Sequence, residues 1–177
     1  MLLIALQRFD DIRQGIQHKH KKEAEWEADY LIHSVVKFAP RSQTAESEAA
    51  LAFAMAGDGT RAESLAQDLN KRFPLDTQVQ SVWFPPIHAQ LAIDRKNPSD
   101  AVGLVQAPAQ IELGLIPFIN QNSCLYSVYV RGEAYLASAN GNAAVVEFQR
   151  ILDRSSIVWN CWTWALAHLG LARAYAM

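Results

Sequence analysis

The chain has 177 residues, of which 50% are hydrophobic and 19% charged, and its formal net charge is −2 at pH 7. This composition is typical of a folded protein and excludes a disordered chain. The near-neutral charge provides no bulk attraction to nucleic acid or to anionic membranes, so we expect neither as a partner. No apolar stretch is long enough to span a bilayer.

The beginning of the chain carries weak structural signals. Residues 1–22 show no clear periodicity and are expected to be a weakly defined N-terminal segment before a helical domain over 23–177. The apolar run at Met1–Leu6 follows no basic residue and is too short for a signal peptide. Cys124 and Cys161 lack any CxxC or Cys/His ligand spacing. These observations predict a cytoplasmic protein with two free thiols.

From Glu23, apolar residues repeat on one helical face until Ala39-Pro40, where proline stops the helix. The stretch Ala49–Pro74 then predicts a helical hairpin with a turn at Gly57-Asp58-Gly59. Ala62 and Pro74 follow Ala28 and Pro40 by 34 residues. A small residue in the second helix and a closing proline at this period are typical of the tetratricopeptide (TPR) repeat.

Further copies of the hairpin follow. The segment Ser81–Pro108 turns at Lys96–Ser99, and its second helix is predicted to be short because Pro108 interrupts it. Residues 109–123 are predicted to be an irregular insertion. The next hairpin begins at Tyr126 and turns at Asn140–Asn142, and a last copy from Trp164 contains one helix. The sequence therefore predicts an all-α, TPR-like helical-hairpin solenoid of about three hairpins plus an unpaired C-terminal helix. The open apolar face of that helix predicts either self-association or a marginally stable protein.

Three blocks of sequence carry a more specific resemblance: AGDGTRAESLAQDLNKRFPLDTQVQ, YVRGEAYLASANGNAAVVEFQRILDRSSIV and LAHLGLARAYAM. They resemble the C-terminal repeats of acidobacterial-type Ser/Thr protein kinases and winged-helix regulators, over roughly residues 34–177. The resemblance implies a protein-interaction module without catalytic residues. Those relatives continue past AYA into another helix and carry an effector domain in front, so the chain resembles a truncated remnant. Two hypotheses follow: a non-catalytic scaffold that binds a partner protein, or a sensory or regulatory module whose kinase or transcription-factor domain is absent from this chain.

In TPR arrays the first helices of the hairpins line a groove, and the positions flanking the small residue face it. Here those positions are Ser47, Leu51, Ala54, Pro86, Gln90, Ile93, Tyr129, Glu133, Leu136 and Arg173. We predict partner contacts at six of them: Gln90, Ile93, Tyr129, Glu133, Leu136 and Arg173. The lysines and asparagines with which chaperone-binding TPR proteins hold a peptide carboxylate are absent from the matching places. An apolar or weakly polar peptide or helix is therefore the expected ligand.

No residue pattern predicts catalysis, a metal or a cofactor, so we expect none of the three. His18 and His20 are two residues apart, which places them on different faces of a helix. The remaining histidines are isolated at apolar helical positions and are expected to form hydrogen bonds between helices: His33, His88 and His168. Cys124 has no base at a recognisable spacing. The tryptophan cluster Trp159, Trp162 and Trp164 is expected to pack one hairpin on the next, with part of it exposed.

Overall fold

The computed structural model describes residues 43–106, 124–158 and 161–177, and every regular element within these ranges is helical. The predicted all-α class is therefore confirmed. We number the eight helices of the described ranges in chain order: α1 Gln43–Met55, α2 Gly59–Arg72, α3 Phe84–Asp94, α4 Pro98–Val105, α5 Tyr126–Ala137, α6 Gly141–Leu152, α7 Ser155–Val158 and α8 Trp162–Tyr175. A π-helical turn, Val79–Trp83, leads directly into α3.

The chain divides into two compact units, Met1–Pro74 and Leu75–Met177. The predicted N-terminal segment 1–22 and the predicted insertion 109–123 lie outside the described residues. The single repeat domain expected over 23–177 stays a prediction.

The described part of the first unit is the hairpin of α1 and α2. Ala50 and Ala62 are both fully buried, and small side chains at these points let the two helices approach closely. The guanidinium of Arg72 forms ion pairs with Glu46 of α1 and with Asp68 one turn earlier in α2. The hydrogen bond to Glu46 raises the pKa of Arg72 above its ordinary value. The helix α2 ends at Arg72, two residues before Pro74, as the sequence predicts.

The three hairpin turns share one backbone conformation. Each contains a residue with a left-handed backbone, with φ of 80° at Gly57, 61° at Lys96 and 58° at Ala139. The next residue is always Asp or Asn, and its side chain accepts a hydrogen bond from the backbone N–H three residues later. The pairs are Asp58 with Arg61 at 3.0 Å, Asn97 with Asp100 at 3.4 Å and Asn140 with Ala143 at 3.2 Å. The turn therefore ends one helix and caps the next within four residues.

Backbone hydrogen bonds complete the same motif. The N–H of Asn97 donates to the carbonyl of Ala92 at 2.9 Å, and that of Asn140 donates to Tyr135 at 2.8 Å. These bonds satisfy carbonyls that the ending helix leaves free. Because the asparagines act as caps, α4 begins at Pro98 and α6 at Gly141, inside the stretches predicted as turns. The left-handed residue of the third turn is Ala139 rather than Gly141.

The second unit packs its helices in series. The helices α3 and α4 contact each other, as do α5 and α6. In addition, α5 contacts both α3 and α4, and α8 contacts both α5 and α6. Each new first helix therefore lies against both helices of the hairpin before it. The largest buried side chains of this core are Trp83, Tyr129, Phe148, Ile87, Leu125 and Ile151.

The second helices of the hairpins place alanine where the repeat alignment expects it. Ala101 in α4 and Ala144 in α6 are fully buried, as is Ala62 in α2. The helix α4 has only 8 residues, which confirms the predicted short second helix. The short helix α7 was not predicted, and α8 begins at Trp162 rather than Trp164. Within the described ranges, no helix combines the length and the apolar character needed to cross a membrane.

Candidate interaction site

Two residues of the predicted partner-binding set form a buried pair on α5. Tyr129 and Glu133 are one helical turn apart and therefore share a face. The Tyr129 hydroxyl donates to Oε1 of Glu133 at 3.2 Å. Tyr129 is 2% exposed and Glu133 is 3% exposed. A carboxylate buried this deeply needs hydrogen-bond donors around it, because desolvation penalises an unpaired charge.

A third predicted residue, Arg173 of α8, supplies the opposite charge. Its Nη1 donates to Oε1 of Glu133 at 3.1 Å and to Oε2 at 3.4 Å. The two residues are 40 positions apart in sequence, on the facing helices α5 and α8. The Arg173 side chain is 39% exposed, so one side of the guanidinium is held by Glu133 while the other faces solvent. We call Tyr129, Glu133 and Arg173 the Glu133 cluster.

The chemistry of the Glu133 cluster is that of a fixed hydrogen-bond donor. The carboxylate accepts from a tyrosine hydroxyl and from Nη1 of Arg173, which holds the guanidinium beside α5. An arginine fixed in this way presents its remaining N–H groups with less loss of side-chain entropy on binding.

The other predicted contact residues lie mostly inside the protein. Gln90 of α3 is fully buried, with its amide donating to Oδ1 of Asp94 at 3.1 Å, and Leu136 of α5 is 8% exposed. Ile93 of α3 is partly exposed. Among the six predicted residues, Ile93 and Arg173 therefore offer the surface for direct contact, and the others can act by positioning them. The four further positions predicted to face a groove are buried as well: Ser47, Leu51, Ala54 and Pro86.

A row of aromatic rings lies beside the Glu133 cluster. The ring of Tyr126 is 5.4 Å from Trp83 and 5.3 Å from Trp162, and Trp162 meets Tyr129 edge-on at 5.2 Å. Trp162 thus packs α8 on α5, in agreement with the packing role predicted for the tryptophan cluster. Trp164 points the other way and is 40% exposed, in agreement with the predicted partial exposure. Trp159 lies outside the described residues.

The prediction of two free thiols was wrong. Cys124 and Cys161 form a disulfide, with their Cα atoms 5.4 Å apart, and the chain contains no other cysteine. Cys124 lies just before α5, and Cys161 is the residue immediately before α8. The hydroxyl of Thr163 donates to the carbonyl of Cys124 at 2.6 Å beside the bond. A separation of 37 residues carries no local pattern, and only the packing of α8 against α5 brings the two sulfurs together.

His88 and His168, which were predicted to form hydrogen bonds between helices, are both exposed on the helix surface. Those hydrogen bonds stay a prediction. His88 lies against the ring of Phe84, and His168 against that of Trp164 at 4.9 Å. The other histidines discussed above fall outside the described residues. Within the described ranges, no three His, Cys, Asp or Glu side chains are grouped so that they could hold a metal ion.

A buried ion pair was missed entirely by the sequence reasoning. Arg131 of α5 contacts Glu147 of α6 at 2.9 Å, with side-chain exposures of 4% and 9%. Arg131 also donates to the carbonyl of Val105, the last residue of α4, at 3.0 Å. One arginine therefore joins α4, α5 and α6. A charged residue in a helix is normally predicted to be exposed, because charged side chains are rarely buried. The spacing of Arg131 and Glu147 therefore gave no sign that they are buried.

No known protein family, curated protein or solved structure matches this chain.

Proposed function

We propose that this protein is a non-catalytic scaffold for protein–protein interaction, built from TPR-like hairpins. The observation that carries the proposal is the serial packing of the second unit, in which α5 and α8 each contact both helices of the preceding hairpin. A recurring turn with a left-handed residue and an Asx cap supports the same repeat unit in all three hairpins. Serial stacks of this kind present one face of their first helices to a partner.

The proposed ligand is a peptide segment or helix of a partner protein, and Arg173 is the central contact. Its guanidinium is half-exposed and held by a buried carboxylate, so it can donate to a carbonyl or carboxylate oxygen of the ligand. Ile93 provides a partly exposed apolar contact on α3, which packs against α5. The remaining side chains of the predicted set contribute little charge to the surface. The ligand is therefore expected to be apolar or weakly polar, with one acceptor group for Arg173.

The cytoplasmic location predicted from the sequence rested partly on free thiols. Because Cys124 and Cys161 are paired, that support is lost, and a disulfide favours an oxidising compartment over a reducing one.

Selection from a display library of random 16-residue peptides, followed by titration of the enriched peptides, tests the proposal. Substituting Arg173→Gln removes the charge and leaves a shorter, polar side chain. We expect the dissociation constant of enriched peptides to rise at least about tenfold, equivalent to about 1.4 kcal/mol. The Arg173→Lys variant should recover only part of the affinity, because lysine lacks the planar fork of donors.

The matched control is Lys96→Gln, which removes an exposed positive charge from the turn after α3 in the same unit. This variant should bind as the unmodified protein does. A selection that enriches no peptide above background, or an Arg173→Gln variant with undiminished affinity, would argue against the proposed function. Circular dichroism of each variant, compared with the parent, separates lost binding from lost folding.

A further inference from the structure

Helix α8 packs closely on α6, and at its N-terminal end it is joined covalently to the residue just before α5. Cys161 bonds covalently to Cys124, Thr163 hydrogen-bonds the carbonyl of Cys124, and the Trp162 ring packs against Tyr126 and Tyr129. The opposite end is held by the contact of Arg173 with Glu133. The disulfide thus lies at the N-terminal end of α8, beside the contacts made by Thr163 and Trp162.

Between the two ends, the buried side of α8 consists of small residues. Its buried positions are Thr163, Ala167, Gly170 and Ala174. Such side chains allow close approach of the helices but remove little apolar area from water, and hydrophobic stabilisation scales with that area. The docking of α8 therefore combines close packing on α6 with its end attachments, of which the disulfide is the only covalent one in the described structure.

Both cysteines are partly exposed, so a reductant can reach the bond. A dithiol reacts first by thiolate attack on one sulfur, which breaks the S–S bond and forms a mixed disulfide. The second thiolate of the reductant then displaces the protein sulfur. Two electrons and two protons pass to the protein, leaving Cys124 and Cys161 as thiols and the dithiol as its own disulfide.

We propose that the Cys124–Cys161 disulfide is a redox-sensitive clasp that controls the docking of α8 on α5 and α6. In the oxidised protein the clasp holds Trp162 against the two tyrosines and keeps Arg173 within reach of Glu133. In the reduced protein α8 detaches more often, and Arg173 is no longer held by the buried carboxylate. The effect on α8 is independent of any ligand. The effect of the clasp on peptide binding rests on the proposed function.

Hydrogen–deuterium exchange on the full chain tests the clasp, with oxidised protein compared with protein reduced by dithiothreitol. Peptides from α8 should exchange at least about tenfold faster after reduction, because their protecting hydrogen bonds open more often. Peptides from α3 serve as the internal reference and should change less than about twofold. Removing the reductant and reoxidising the protein should restore the slow exchange.

A double substitution, Cys124→Ser with Cys161→Ser, provides the constitutively open state. It should exchange like the reduced protein in either buffer, so dithiothreitol should have no further effect on it. Mass spectrometry after maleimide treatment counts free thiols in the unmodified protein, with none expected when oxidised and two when reduced.

Three results would overturn the clasp: two free thiols after oxidation, equal exchange of α8 in both states, or equal acceleration of α3 and α8. The last result would show that the disulfide stabilises the whole second unit rather than α8 alone. Titrating a library-selected peptide against both states separates the two proposals. If α8 exchanged faster after reduction but no peptide bound in either state, the clasp would be supported and the proposed function would be contradicted.

Discussion

A β-carbon added to Gly170 would lie 2.5 Å from Cζ of Phe148, closer than non-bonded carbon atoms approach in proteins. The ring of Phe148 cannot move aside easily, because it is fully buried and Gly132 of α5 closes on it as well. A β-carbon at Gly132 would lie 2.7 Å from Cε1 of the same ring. Phe148 of α6 is thus enclosed by two glycines, and α5 and α8 approach α6 closely only because both lack a side chain there.

Gly170→Ala should therefore destabilise the protein by up to about 2 kcal/mol, measured by urea unfolding. The expected cost of overpacking is about 1 to 3 kcal/mol, and the gain of about 1 kcal/mol in helix propensity offsets part of it. Gly103→Ala in α4 is the control, since its β-carbon would meet nothing within 4 Å and should be neutral or stabilising. Phe148→Leu should cost less in the Gly170→Ala background than alone. If the two alanine variants were equally stable, the close enclosure of the Phe148 ring by Gly132 and Gly170 would be contradicted.

The left-handed turn residues predict a pair of opposite effects. Ala139 adopts φ of 58°, where a β-carbon is strained, so Ala139→Gly should stabilise the protein by about 0.5 to 1 kcal/mol. Gly57 adopts φ of 80° with open space around it, so Gly57→Ala should destabilise by a similar amount. Thermal unfolding measures both changes. If both substitutions shifted the melting temperature in the same direction, the shared turn conformation would be contradicted.

Glu147 pairs with the buried Arg131 and with the more exposed Arg150, and we predict unequal effects of substituting Glu147 and Arg150. Glu147→Gln leaves Arg131 charged and buried, and should cost about 3 kcal/mol of unfolding free energy. Arg150 pairs with the same carboxylate at 3.1 Å but is 35% exposed, so Arg150→Gln should cost less than about 1 kcal/mol. Guanidinium unfolding measures both. A larger loss for Arg150→Gln than for Glu147→Gln would show that Arg131 does not depend on this partner.

The outer face of α8 predicts weak self-association. Trp164 is 40% exposed and Tyr175 is 71% exposed, with His168 and Ala172 between them on the same exposed side. Burial of two aromatic side chains favours association, so Trp164→Glu combined with Tyr175→Glu should raise the dimer dissociation constant at least about tenfold. Sedimentation velocity over a range of concentrations measures it.

The control for that experiment is Leu75→Glu, which changes an isolated apolar residue that is 93% exposed. It should leave the concentration dependence unchanged. A protein that sediments as a monomer at every concentration, before any substitution, would remove this expectation.

The sequence by itself determined most of the local structure of the described ranges, with the short helix α7 as an exception. Helices α1 to α6 and α8 were predicted because helical periodicity and capping act between residues no more than about four positions apart. Proline and asparagine marked the helix ends for the same reason. The predicted repeat alignment also selected Tyr129, Glu133 and Arg173 individually, because it places them at positions that flank the small residue of a first helix. The partner-binding role of these residues remains a prediction.

Only the tertiary structure decided which distant residues meet. The Cys124–Cys161 bond, the Arg131–Glu147 pair and the enclosure of Phe148 all join different helices. Their formation depends on the register and closeness with which α4, α5, α6 and α8 pack, and one sequence does not encode these distances in any local pattern. The burial of a side chain also depends on how the helices pack. His88 and Glu133 both occupy helical positions, yet packing leaves the histidine exposed and encloses the carboxylate.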